Sequence, residues 1–324
     1  MAPLKASAAA SLAVLLLAIQ PAVAQDYPNR PITLVVPFPA GGGVDAVGRI
    51  IAEKLSGALG QQVVIDNRGG AAGVIGTRAV SKAAPDGYTL VMATTGSVAI
   101  NPTLYANPGY DSRKDLAPIG LISSTPIVLM SHTSFAAKSL ADVIAQAKLN
   151  PGKLDIGTPP PGTSSYLAAE LFKVMAGINF TIVTYKGTGP LTTDLIGGHV
   201  PLAFNVLAPA IGHLKSGTLR ALAVAAPSRS SQLPDVPTAT EAGLPGFEAV
   251  LHYGLLAPAN TPKAIIDRLN KELRAIVASP EVRARIAADG GDPMPSSPEG
   301  YAADIDREET KWGALIRKLK LKVE

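Results

Sequence analysis

The chain has 324 residues, no cysteine, 17% charged residues and a formal net charge of +4. Without cysteine there are no disulfides, thiolate nucleophiles or thiolate metal sites. A basic excess this small, spread along the chain, does not read as a nucleic-acid surface and steers anions only slightly.

Residues 1–24 read as a secretory signal. Lys5 supplies a thin positive region, residues 12–19 an apolar core, and Ala22-Val23-Ala24 a small-residue cleavage site. The apolar run is too short to span a bilayer. Cleavage after Ala24 leaves a chain that starts at Gln25, with 28 basic against 25 acidic residues and a formal charge of +3. No later run reaches span length, so a soluble periplasmic protein is expected. Its length suits two α/β lobes.

From residue 25 onward the elements alternate. Residues 32–36 form a buried-type strand, and Val44, Val47, Ile51, Leu55 and Leu59 mark one face of a helix that Gly60 ends. A strand at 63–65, a helix at 73–83 and a strand at 89–93 complete a βαβαβ unit, which predicts a parallel sheet. Residues 119–123 and 127–130 read as two extended runs linked through Ser124-Thr125-Pro126. Further on, strands at 154–157, 182–185, 201–205 and 219–225 alternate with helices at 164–175, 190–196 and 208–214, predicting a second parallel sheet. One more extended run, at 251–256, precedes a helical tail. Thr261-Pro262, Ser279-Pro280 and Ser297-Pro298 each predict a capped helix start there. A tail with no strands must pack on an existing lobe, so the chain crosses between lobes twice. The expected division is residues 25–123 plus 248–324 for one lobe and 124–247 for the other.

The chemistry lies in turns at the carboxyl ends of parallel strands, where α/β sheets place ligands. These are residues 38–45, Thr94-Thr95-Gly96-Ser97, residues 158–165 and residues 186–190. A helix opening behind such a turn aims unpaired N–H groups at an anion. Asp45 is expected to cap the first helix. Gly41-x-Gly43-x-x-Ala46, with Asp66 ending the next strand, also satisfies a dinucleotide fingerprint. Against that reading stand the intervening Pro37-Phe38-Pro39-Ala40 and export away from cytoplasmic nicotinamide. There is no G-x-S-x-G elbow. His132, His199, His213 and His252 have no ligand spacing and read as isolated polar residues, so neither a catalytic set nor a metal site is assigned.

Several stretches carry a family resemblance. They are Tyr27-Pro28-x-Arg30-Pro31-Ile32, Val36-Pro37-Phe38-x-Ala40-Gly41-Gly42, Ala84-Pro85-Asp86-Gly87-Tyr88-Thr89-Leu90 and Tyr185-Lys186-Gly187. Leu219-Arg220-Ala221-Leu222-Ala223-Val224 and Tyr253-Gly254-Leu255-Leu256-Ala257-Pro258 complete the set. In order along the whole mature chain, they resemble the Bug-type extracytoplasmic receptors of tripartite tricarboxylate transporters. The resemblance implies a type II periplasmic-binding-protein fold, two parallel-sheet lobes on a two-segment hinge, closing over a small carboxylate. Such receptors take citrate-like acids, acidic amino acids, nicotinate and aromatic carboxylates, held by two strand–turn–helix elements and ordered waters. Here those elements are residues 38–45 and 186–190.

The chain departs from the pattern at Val44 (usually threonine), Pro160-Pro161 (usually Gly-Asn), Tyr166 (often histidine), His252 (often tryptophan) and Asn205 (commonly aspartate). A neutral Asn205 is no anionic partner for an ammonium, so a plain carboxylate, aromatic or not, is favoured over an amino acid. The expected contacts are Phe38, Ala40, Gly41 and Val44 on one lobe, with Thr94 and Ser97 behind them. Thr158, Thr163, Ser164, Thr188, Gly189 and Asn205 are expected from the other. A monomer without cofactor is expected, delivering its carboxylate to the permease subunits of a tripartite tricarboxylate transporter. The resemblance also allows an orphan receptor with no cognate permease. Presentation to a signalling kinase is the main alternative, and an exported NAD-dependent oxidoreductase a remote one.

Overall fold

The computed structural model describes residues 27–324, so the export signal lies outside the described residues. β1 (Ile32–Val36), α1 (Gly43–Leu59), β2 (Val63–Asn67), α2 (Val74–Ser81) and β3 (Thr89–Thr94) form the expected parallel unit, in spatial order β2-β1-β3. α1 buries Val44, Val47, Ile51, Leu55 and Leu59, the face its spacing marks, and stops where Gly60 adopts φ +67°. Each such aliphatic side chain contributes about 1.5–3 kcal/mol on leaving water. Beyond β3 the chain makes a π-helical turn (Gly96–Ile100) that runs into the short α3 (Asn101–Leu104).

The two extended runs around residue 124 are one strand, β4 (Leu116–His132). Its first part pairs antiparallel with the hinge strand that returns at residue 250, and its second part belongs to the other half of the sheet. Then follow α4 (Leu140–Leu149), β5 (Asp155–Thr158), α5 (Ser164–Ala176), β6 (Thr181–Thr184), α6 (Thr188–Ile196), β7 (Leu202–Val206), α7 (Ile211–Lys215) and β8 (Leu219–Val224). β5, β6 and β7 are parallel. β8 is not part of that parallel set, because it pairs antiparallel with β4.

β9 (Val250–Pro258) lies between β3 and β4, antiparallel to both. α8 (Lys263–Ala278), α9 (Pro280–Ala288), β10 (Asp292–Pro293) and α10 (Pro298–Leu319) complete the chain. Ser279 and Ser297 cap α9 and α10 as expected, accepting from Val282 N and Gly300 N. Thr261 does not cap α8. Its hydroxyl donates to the Pro258 carbonyl instead, and Pro262 itself is the N-cap.

The ten strands make one curled sheet, ordered β2-β1-β3-β9-β4-β7-β5-β6, with β8 and β10 also on β4. This is the two-lobed binding-protein architecture. One apolar core lies around β1, β3, α1 and α8, with Leu34, Leu55, Met92 and Leu273 at its centre. Another is built on Phe172, Phe204 and Phe247, whose rings stack edge-on or tilted at 5.5–5.9 Å. α10 is long enough to reach two packings. Tyr301 and Ile305 pack with Val35 and Leu256, and Trp312, Leu315 and Ile316 join the phenylalanine core.

Candidate functional site

The turn after β1 is held by Asp45. This residue lies in the first turn of α1 and is 3% exposed. Its carboxylate accepts from Gly41 N at 2.9 Å, from Arg49 Nε at 2.9 Å and from Asn67 Nδ2 at 3.0 Å. Burial pushes its carboxyl up, but the Arg49, Gly41 and Asn67 hydrogen bonds outweigh that and hold it below the usual range. Asp45 therefore braces the loop from inside the helix and leaves the first N–H groups of α1 free. The reaching-back half of a capping box works the same way. Gly41 takes φ +81°, a conformation that glycine adopts without strain.

The loop forms one wall of a cleft of about 160 Å³. Phe38, Pro39, Ala40, Gly41, Gly42, Gly43 and Val44 line it, with Thr94 and Gly96 beside them. Pro159, Pro160, Thr163, Ser164 and Ser165 line the opposite side, together with residues 186–190 and Val206. Leu251 and Tyr253 of β9 close the floor. The walls come close together. A Cβ placed on Gly42 would stand 3.5 Å from Thr188 Oγ1, and one on Gly96 would stand 2.5 Å from the Gly162 carbonyl.

Three helix starts converge on this space, those of α1, α5 and α6. Each presents unpaired N–H groups and the positive end of its dipole. On α5, Thr163 caps the helix, accepting from Tyr166 N at 3.3 Å and donating to the Pro160 carbonyl at 2.8 Å. The next hydroxyl, Ser164 Oγ, is buried and has no hydrogen-bond partner among the described residues. Among the described residues, the one charged side chain lining the cleft is Lys186, exposed at its edge, and none of the lining residues is a carboxylate. Such a space receives an anion on backbone and hydroxyl donors and offers an ammonium no counter-charge.

Of the expected contacts, Phe38, Ala40, Gly41, Val44, Thr94, Thr163, Ser164, Thr188 and Gly189 line the cleft. Three lie behind it. Ser97 Oγ accepts from Thr94 N and donates to the Thr94 carbonyl, both at 3.0 Å. Thr158 Oγ1 donates to the Pro159 carbonyl at 2.8 Å. Asn205 is fully buried, with Nδ2 on Thr192 Oγ1 at 3.0 Å and Oδ1 on Val206 N at 2.9 Å. Its amide ties α6 to β7.

Sequence reasoning missed Tyr253 and Leu251. Alternation along β9 is the signal that finds them, since Leu251 and Tyr253 share one face of the strand while His252 takes the other. His252 is not isolated. Its Nδ1 is 2.9 Å from Asp304 Oδ2 on α10, and Glu308 brings its carboxylate within 4.8 Å. Arg307 pairs with Asp304, and Trp312 Nε1 donates to Glu308 at 2.9 Å, so this buried group fastens α10 to β9. Asp66, the acid of the dinucleotide fingerprint, is paired with Arg68 at 2.6 Å.

Comparison with known proteins agrees with this architecture. Residues 47–321 match the model of the tripartite tricarboxylate transporter family receptor. Protein BugT of Bordetella pertussis is 37% identical over 298 residues, 92% of this chain and 91% of its own. The structure of R. palustris Rpa4515 with adipate has a TM-score of 0.88 at 35% identity, covering 91% of this chain and 99% of that one. MatC from Rhodopseudomonas palustris with bound malate gives 0.84 at 32% identity, covering 90% and 100%.

Proposed function

The chain belongs to the tripartite tricarboxylate transporter receptor family, Bug type, and on that premise we propose that it is a periplasmic receptor for a plain carboxylate, exported by residues 1–24. The observation that carries this reading is the cleft itself, where three helix starts and an unpartnered hydroxyl surround a lining that has no carboxylate. A carboxylate there gains charge-assisted hydrogen bonds, while the apolar faces of Phe38, Val44, Pro160, Val206 and Leu251 cover its carbon skeleton. The structures of two relatives, one with adipate and one with bound malate, support the ligand class.

The two lobes are residues 25–123 plus 248–324 and residues 124–247. A ligand that touches both stabilises the closed arrangement, and closure is the signal. The receptor presents its closed surface to transporter permease subunits. Binding without chemistry is the role proposed, in line with relatives described as a transporter family receptor and a periplasmic binding protein. Thermal melting of residues 25–324 against carboxylates, amino acids and NAD tests this. At a hundredfold its dissociation constant, a bound carboxylate adds about 2.7 kcal/mol and raises the melting temperature by roughly 5 °C. A shift with NAD or amino acids alone contradicts the proposal.

A further inference from the structure

Tyr253, like Ser164, brings to the cleft a hydroxyl without a hydrogen-bond partner among the described residues. The residue is 2% exposed and its ring packs in the core with Val44 and Ile122. Its backbone is locked in the sheet between Thr94 of β3 and Ser123 of β4. The hydroxyl makes no hydrogen bond among the described residues, yet the side chain lines the cleft. Its position is set by the start of α1, because a Cβ on Gly43 would lie 3.1 Å from the hydroxyl oxygen. Glycine at that position leaves the space between phenol and helix start open.

We propose that the Tyr253 hydroxyl is a third ligand contact, donating a hydrogen bond from the hinge strand to an anion seated at the start of α1. Burial, with the Asp289 carboxylate acting through space, pushes the phenol well above its ordinary pKa, so it stays a neutral donor at every physiological pH. Its oxygen is not one of the fully buried unpartnered polar atoms of the described residues and the side chain lines the cleft, where a ligand can accept its hydrogen bond. The contact also gives the strand shared by both sheet halves a direct sense of occupancy. Ammonium groups gain little from a phenol donor, so the contact sharpens selection for the anionic end. The inference rests on the carboxylate-receptor reading above.

The test is Tyr253→Phe in residues 25–324, titrated calorimetrically with whichever of adipate, malate and benzoate binds the wild type, beside melting of both unliganded proteins. Binding is expected to weaken about tenfold or more. The unliganded variant is expected to melt no lower than wild type, because no protein hydrogen bond is lost. Wild-type binding with a variant constant within twofold overturns the role of Tyr253 and leaves the receptor reading standing. A clear fall in the unliganded melting temperature also overturns it, since it assigns the hydroxyl to the fold. Wild type that binds none of the three overturns both readings.

Discussion

The two walls of the cleft look alike in sequence, each a glycine-rich turn opening a helix, but they are built on different physics. The first wall is preset although the start of α1 has no side-chain cap. An ionised Asp45, anchored by Arg49 and Asn67, holds Gly41 N and sets the loop before any ligand arrives. The second wall is held from behind and left open in front. Asn205 and Thr192 fasten α6, and Thr163 caps α5. Ser164 Oγ has no partner, and α6 has no side-chain cap. Both walls offer free helix-start N–H groups, but only the first is braced by a buried carboxylate, so a ligand that bridges the two draws the less constrained wall onto the preset one.

Removing the brace should have the largest effect. Asp45→Ala strands Gly41 N and Asn67 and is expected to cost about 2 kcal/mol, discounted because Arg49 is largely exposed. Asp45 titrates below its unfolded value, so its contribution is present above about pH 3.9 and is lost as pH falls through the lower native value. Melting curves of the two proteins should therefore differ fully at pH 7 and converge in acid. A constant difference at all pH values would break the contrast between the walls.

The next test concerns where the walls meet. In Gly96→Ala the new methyl falls 2.5 Å from the Gly162 carbonyl across the cleft, a backbone clash present only when the walls are together. Overpacking of this kind costs about 1–3 kcal/mol, so affinity should fall roughly tenfold or more by calorimetry. The unliganded melting temperature should change far less.

Ser164→Ala should show the smallest change of the three. It deletes a hydroxyl with no protein partner, so stability should be unchanged or slightly raised, and carboxylate affinity should drop about fivefold, worth about 1 kcal/mol. A loss of stability without loss of affinity would mean that the second wall is as preset as the first.

What the sequence reveals follows the range of the interaction. α1, its glycine loop, the Ser279 and Ser297 caps and the parallel β1–β3 unit depend on neighbours within a few turns, and periodicity and capping chemistry expose them. Ser124-Thr125-Pro126 divides β4 in the sequence because proline ordinarily interrupts a strand, whereas the ladder with β9, unbroken from Ser123 to Pro126, carries the strand through it. The direction of β8 and the burial of Asn205 depend on which strand the chain returns to, and apolar runs do not encode that. Tyr253, paired with Thr94 across the sheet, and the His252–Asp304 pair, 52 positions apart, join distant parts of the chain, so only the folded arrangement gives them meaning. Thr261 shows the local limit: a hydroxyl before proline has more than one carbonyl or amide to choose from.

The most direct measurement is calorimetric titration of residues 25–324 with the carboxylate that gives the largest thermal shift and, in parallel, with its 2-amino analogue. The carbon skeleton is then the same and only an ammonium is added. A cleft lined by helix starts, hydroxyls and apolar side chains, with no carboxylate, should bind the plain acid at least tenfold more tightly. Equal or tighter binding of the amino acid would contradict the account, because it would require an anionic partner that the cleft does not provide.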